Sequence, residues 1–218
     1  MAVREVLKYE DVVQVTLVDL DPRVTELFRD HAQLRLLNDQ SLSDPRVTIV
    51  NQDAWAFAQD NKDVFDVIVI DLPDPKNLSL SKLYSIEFYA TLIERLSPRG
   101  VLVTQAGSPF FAHKAFWSVA ATWEGTRNPS VPSGQLTVRP YHTYVPSFGE
   151  WGFVMVSQYA LAERPLLLPQ GLRYATPEIW EQAQVFASDT RRVAVEVNTI
   201  QTHPLVRYYQ DGWDAWFQ

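Results

Sequence analysis

The sequence predicts an α/β protein with a mostly parallel sheet that ends in an antiparallel pair of strands. Three observations carry this. From Val12 to Trp123, short apolar runs alternate with helix-patterned segments, the signature of helices packed on a parallel sheet. One run, Val64-Phe65-Asp66-Val67-Ile68-Val69-Ile70, stops at Asp71 and is followed by Leu72-Pro73-Asp74-Pro75. Two last runs, 136–145 and 153–159, are joined by a short loop containing Pro146 and Gly149, which suits a hairpin-like end to the sheet. The architecture expected is a three-layer α/β domain.

Taken in order, Ala2 to Tyr9 reads as a short helix with Val3, Val6 and Leu7 on one face. No cap residue precedes it, as expected of a chain that begins inside a helix. Val12 to Leu20 is rich in β-branched residues and reads as a strand. Asp21-Pro22 then suits a helix start, with Asp as cap and Pro in the first turn. Val24, Leu27, Phe28, His31, Leu34 and Leu37 give that helix an apolar stripe. Arg46 to Val50 is the next strand, and Asp53 is placed to cap a helix carrying Trp55, Phe57 and Ala58. The run at 64–71 is expected to be a strand buried on both faces. It cannot continue past Pro73, because proline lacks the N–H that a ladder needs.

Ser85 to Leu96 reads as a helix closed by Ser97-Pro98-Arg99-Gly100, then a short strand at 101–105, then a helix from Phe110 to Trp123. Beyond Ala162 the texture changes. Pro165 and Pro169 bracket a leucine run, Thr176-Pro177-Glu178 starts a helix to about Ala187, and the end from His203 is rich in Tyr and Trp. The expected division is a catalytic domain over 1–162 and an appendage over 163–218, packed on that domain or on a partner chain.

Composition narrows the function. The chain has 218 residues, 46% of them hydrophobic, enough for a core. It has no cysteine, which rules out a disulfide framework and a thiolate metal site. A net charge of −7 argues against nucleic acid as partner. No apolar run approaches the roughly 20 residues that span a bilayer, and Met1-Ala2-Val3-Arg4-Glu5 lacks the apolar core of a leader. A cytoplasmic protein is expected. His31, His113, His142 and His203 are scattered without ligand spacing, so no metal site is expected. No G-x-G-x-x-G or Walker loop occurs, and Ser108 and Ser147 lack a nucleophile-elbow context.

The candidate chemistry lies in carboxylates at strand ends, the edge where open α/β sheets bind ligands. Asp71 and Asp74 form the central pair. Two nearby carboxylates can hold a cationic amine through charge-assisted hydrogen bonds. One of them can take the proton that the amine loses as it attacks an electrophile. Their plain alternative is a strand end and a turn cap. Asp19 ends the strand where a nucleotide-binding unit places a carboxylate on both ribose hydroxyls; Asp21 is better explained as a helix cap. Asp53 can accept from an adenine amino group or serve as a plain cap. Tyr141, Tyr144 and Trp151 can wall a pocket or fill a core.

The blocks Ala2-Val3-Arg4-Glu5-Val6, Val18-Asp19-Leu20-Asp21, Gln52-Asp53-Ala54, Asp71-Leu72-Pro73-Asp74-Pro75, Leu83-Tyr84, Glu87-Phe88-Tyr89, Thr143-Tyr144 and Gly152-Phe153 occur in a telling order. Together they resemble the polyamine aminopropyltransferases, the spermidine synthase family, and its bacterial members in particular. Some of those carry membrane segments upstream. The resemblance covers about residues 2 to 160. It implies a Rossmann-like, methyltransferase-type fold with a seven-stranded sheet. It implies transfer of an aminopropyl group from decarboxylated S-adenosylmethionine, as co-substrate with no tightly bound cofactor, to putrescine or another polyamine. Asp71 would be the proton acceptor, Asp74 and Tyr144 would hold the amine, Asp19 the ribose, and Asp53 with Ala54 the adenine. The aromatic tail adds the expectation of a homodimer.

The sequence departs from the family in three places. The G-G-G-D-G loop with its first, central strand and the amino-terminal β region are both absent, and Leu72-Pro73 replace small hydroxylated residues. A chain truncated in this way is expected to be a weak enzyme or none, because a missing central strand leaves open edges. Two other classes fit the same residues: a small-molecule methyltransferase using intact adenosylmethionine, and a non-catalytic polyamine- or nucleoside-binding fragment.

Overall fold

The computed structural model describes residues 2–128, 134–161 and 172–216. The leucine run from Pro165 to Pro169 and the expected boundary after residue 162 lie outside the described residues. The chain divides into two compact units, Met1–Asn61 and Lys62–Gln218.

In the first unit the helix at the start is α1 (Ala2–Val6), followed by β1 (Val15–Asp19), α2 (Pro22–Asp30), α3 (Leu34–Leu37), β2 (Val47–Asn51) and α4 (Ala54–Asp60). β1 and β2 pair in parallel, Val15 opposite Val47 and Asp19 opposite Asn51. With α2 and α3 between them they form a strand–helix–strand crossover. Asp21 caps α2 by accepting from the Arg23 N–H at 2.9 Å, with Pro22 following it. Asp53 caps α4 by accepting from the N–H groups of Trp55 and Ala56. The stripe expected to run unbroken to Leu37 is interrupted instead. α2 stops at Asp30, and His31 takes an extended conformation before α3 begins. Asn38 then ties the turn back by donating to the Phe28 carbonyl at 2.9 Å.

The second unit contains β3 (Phe65–Ile70), α5 (Leu78–Ser81), α6 (Ile86–Ile93), β4 (Leu96–Gly107), α7 (His113–Gly125), β5 (Thr137–Val145), β6 (Gly149–Ser157), α8 (Pro177–Gln182) and α9 (Pro204–Asp214). Its sheet has the order β3-β4-β6-β5. β3 and β4 are parallel; β4 with β6, and β6 with β5, are antiparallel. The expected closing pair is therefore present, joined by a tight turn at 146–148 that Gly149 leaves with φ +76°, a conformation natural to glycine. β4 begins earlier than expected, at Leu96. Phe65 donates its N–H to the Arg95 carbonyl and Ser97 donates to Asp66, which draw the segment around Pro98 into the ladder.

β3 departs from its expected burial on both faces. Val67 is 63% and Val69 55% exposed, while Ile70 is buried. β3 is also the edge strand of its sheet and pairs with β4 alone among the described residues, and the face that carries Val67 and Val69 is left open. The core lies on the other face and around α6 and α7. Tyr89 stacks on Trp123 at 3.6 Å between ring centroids, and both are fully buried.

The described part of the tail closes onto the same unit. Buried Asn198 donates its side-chain amide to the carbonyls of Ser81 and Tyr84, and its N–H to the Thr122 hydroxyl. Its own carbonyl accepts from the Ile86 N–H that starts α6. Among the described residues, no helix is long and apolar enough to cross a membrane.

Candidate active site

Asp71 and Asp74 follow directly on the carboxyl end of β3, where Pro73 and Pro75 stop the ladder. Asp71 is exposed and has no hydrogen-bond or ion-pair partner among the described residues. Asp74 is half-buried and held from two sides. The Tyr209 hydroxyl on α9 donates to its Oδ2 at 2.8 Å, and Gln105 Nε2 on β4 lies 3.3 Å from its Oδ1.

Gln105 organises the turn behind the pair. Its amide nitrogen also donates to the Leu72 carbonyl at 2.8 Å and to the Tyr84 oxygen at 2.6 Å. Its amide oxygen accepts from the Gly107 N–H at 2.9 Å and from Trp151 Nε1 at 3.2 Å. The Tyr84 hydroxyl points at the carbonyls of Leu72 and Pro73, 3.1 and 3.2 Å away. Burial, and then the nearby Asp74 charge, push the Tyr84 hydroxyl far above the usual tyrosine range. It therefore stays a neutral donor. This buried, satisfied network fixes the backbone that carries both carboxylates.

Asp74 also borders a cavity of about 450 Å³. Its walls are aromatic: Phe111, Phe148, Trp151, Tyr209 and Trp213, with Ser147 as a further polar edge. An ammonium suits such a place. Ring faces attract a cation, one carboxylate offers charge-assisted acceptors, and apolar walls suit a methylene chain. Nearby, Gly152 allows the hairpin to close on α7: a Cβ there would overlap the Phe116 ring and lie 2.9 Å from the Gly107 carbonyl.

The other expected site residues belong to different surroundings. Tyr144 sits on β5 opposite Glu150, is 63% exposed, and does not line the cavity. Tyr141 stacks on Phe153, and burial pushes its hydroxyl up to about 12. Asp19, Asp53 and Ala54 lie in the first unit. Asp19 and Asn51 end the paired strands, and Asp19 Oδ1 accepts from the Asp21 N–H at 2.9 Å. The second oxygens of Asp19 and Asp53 have no hydrogen-bond partner among the described residues. Each histidine makes a hydrogen bond within the protein: His31 to Gln33 N–H, His113 to the Arg191 carbonyl, His142 to the Val185 carbonyl, His203 to the Ser81 hydroxyl.

Gln105, Tyr209, Trp213 and Phe111 escaped the sequence reading. Gln105 had a signal, as the polar end of an apolar run beside the strand of Asp71. Tyr209 and Trp213 had a weaker one: they stand four apart in a helix and so share a face. Nothing local told that this face would meet Asp74, 135 residues away.

The chain is similar to known proteins in sequence and in fold. The spermine/spermidine synthase domain matches residues 1–163. The polyamine aminopropyltransferase of Leptospira interrogans is 41% identical over 218 residues, covering 98% of this chain and 41% of that relative. A second from Streptomyces coelicolor is 43% identical over 216 residues, covering 98% of this chain and 39% of that relative. The chain thus spans about two fifths of the length of these curated relatives. In fold it is similar to the spermidine synthase of Thermotoga maritima, with a TM-score of 0.68 at 23% identity over 84% of this chain and 61% of that one. A spermidine synthase solved with the transition-state analogue AdoDATO gives 0.67 at 23% identity over 85% and 61%. With a domain match over three quarters of its length and the Asp71–Asp74 pair at a strand end, the chain belongs to the spermine/spermidine synthase family.

Proposed function

We propose that this chain is the catalytic region of a polyamine aminopropyltransferase, and that its protein transfers the aminopropyl group of decarboxylated S-adenosylmethionine to putrescine or another polyamine. The observation that carries this is the pair at the end of β3: Asp71 unpartnered, and Asp74 anchored at the edge of an aromatic cavity. The curated relatives named polyamine aminopropyltransferase support it.

The chemistry follows from the residues. Asp74 binds the amine as ammonium, with its chain against the rings. Attack needs a free lone pair, yet at neutral pH an alkylamine is mostly protonated. Asp71, exposed at the strand end, takes the proton from the attacking nitrogen. The nitrogen then bonds to the methylene carbon attached to the sulfonium, the carbon–sulfur bond breaks, and sulfur keeps the electron pair. The products are the extended amine and neutral methylthioadenosine. Because the sulfonium is already activated, positioning the amine supplies much of the acceleration. Asp19 would hold the donor's ribose, Asp53 and Ala54 its adenine, and Tyr144, whose hydroxyl has no hydrogen bond among the described residues, would reach the amine. The division into a catalytic domain over 1–162 and an appendage over 163–218, a cytoplasmic setting and a homodimer complete the proposal.

Mass spectrometry of the full-length protein, incubated with decarboxylated S-adenosylmethionine and a panel of amines, tests it. Methylthioadenosine and an amine extended by one aminopropyl group are expected together. A methylated product formed from intact adenosylmethionine would instead mark a methyltransferase. Binding without turnover would mark the non-catalytic alternative.

A further inference from the structure

The family match ends at residue 163, yet the cavity beside Asp74 is completed by a helix that starts at Pro204. We infer that α9 is the acceptor-selecting wall of this site, with Tyr209 positioning Asp74 and Trp213 limiting the length of amine that fits. The inference rests on the amine reading of the cavity and goes beyond it by assigning selectivity to the tail.

Three observations support it. The first is the strength of the tie. Among the described residues Asp74 has two side-chain partners, and the Tyr209 hydroxyl at 2.8 Å is the closer. Gln105 shares its two amide hydrogens among three acceptors, of which Asp74 is the most distant. The rotamer of Asp74 therefore depends mainly on α9. A neutral donor orients the carboxylate without cancelling its charge, so the lone pairs that Tyr209 and Gln105 leave unused remain for an ammonium.

The second is that α9 is docked at a fixed depth. Leu205 is fully buried at its start. At Gly212 a Cβ would lie 2.8 Å from the Ala112 Cα and 2.9 Å from the Phe111 carbonyl. Glycine thus permits backbone contact with the turn before α7, and a larger residue would push the helix away. The third is the shape of the wall. Trp213 stacks on Phe111 with centroids 5.2 Å apart and planes 17° apart, and Tyr209 lies 6.1 Å from Trp213. These rings and the carboxylate form one surface, suited to an alkylammonium whose methylenes lie along the rings. Cutting back Trp213 lengthens the space without touching Asp74.

The test is two-substrate kinetics on the full-length protein and its Tyr209→Phe and Trp213→Ala variants, with short to long diamines and a triamine as acceptors. Calorimetric titration of the same amines accompanies it. Tyr209→Phe keeps the ring and removes the hydrogen bond. It is expected to lower kcat/KM for the amine about tenfold, with the donor KM unchanged within about twofold. Trp213→Ala is expected to shift preference towards longer amines. If that variant does not fold, Trp213→Phe gives the same readout with a smaller shift. Unchanged amine kinetics in Tyr209→Phe, or equal losses for both substrates, would overturn the positioning role. An unchanged order of preference in the Trp213 variants would overturn the selectivity. If the unaltered protein binds and uses no amine, the amine reading itself fails and this inference with it.

Discussion

In the first unit, Val3 and Ala58 are the buried apolar side chains among the described residues, while Leu20, Val24, Leu27, Leu36 and Leu37 stay largely exposed. In the second, Tyr84, Tyr89, Phe116, Trp123, Val154 and Val156 are sealed from solvent. Both units use parallel strands, capped helices and amphipathic stripes, so the vocabulary does not distinguish them. What differs is whether the apolar face finds a partner. The carboxylates differ in the same way. Asp53 spends one oxygen on a helix cap and Asp19 one on the following backbone, whereas Asp74 is held by side chains from β4 and α9. The first unit buries few apolar side chains among the described residues, and the second buries many; on the proposed reading, the donor contacts fall in the first and the amine contacts in the second.

The largest expected effect lies at the end of β3. Asp71→Asn removes the proposed proton acceptor and should lower kcat by roughly 10²–10⁴-fold, with amine binding retained, as stopped-flow or end-point product analysis would show. A loss below tenfold would move the base elsewhere. Next in size is packing. Trp123→Ala should cost about 3–5 kcal/mol, because the buried stack with Tyr89 is lost. Leu27→Ala, at an exposed position, should cost about 0.5 kcal/mol or less. Equal losses in urea unfolding would erase the contrast between the units.

Alkaline pH should act through the second unit. Burial raises the Tyr84, Tyr89 and Tyr141 hydroxyls, the last to about 12. The unfolded chain loses these protons from about pH 10. The folded state keeps them longer, so it binds more protons and stability falls with rising pH. The contribution is full below about pH 10 and lost as pH climbs through the folded values. Thermal melts should drop above about pH 10; a flat profile would contradict the burial of these hydroxyls. A further small effect is expected at Asp53. Asp53→Ala should cost about 1 kcal/mol through its cap, while Asp53→Asn keeps the cap. A rise in donor KM in the Asn variant would then report the nucleoside contact alone.

Much of this was legible in the sequence because the deciding interactions are local. Asp21-Pro22, Asp53 and Thr176 cap the helices expected of them. Pro73 and Pro75 end β3 as proline must. The closing pair was visible as two β-rich runs around a turn. What escaped depends on distant neighbours. The run at 64–71 looks doubly buried, but burial depends on what packs on each face of the sheet, and the face that carries Val67 and Val69 is open. Tyr144 lies near the hairpin turn, yet its exposure is set by register with Glu150. The hydrogen bond of Tyr209 to Asp74 spans 135 residues, and no periodicity encodes it.

The most direct test of the division between donor and acceptor sides is steady-state kinetics of Asp19→Asn and Asp74→Asn in the full-length protein, varying both substrates. Asp19→Asn should raise the KM of decarboxylated S-adenosylmethionine and leave the amine KM near its original value. Asp74→Asn should do the reverse. Crossed effects, or both constants rising together in either variant, would contradict the assignment of the nucleoside to the first unit and the amine to the second.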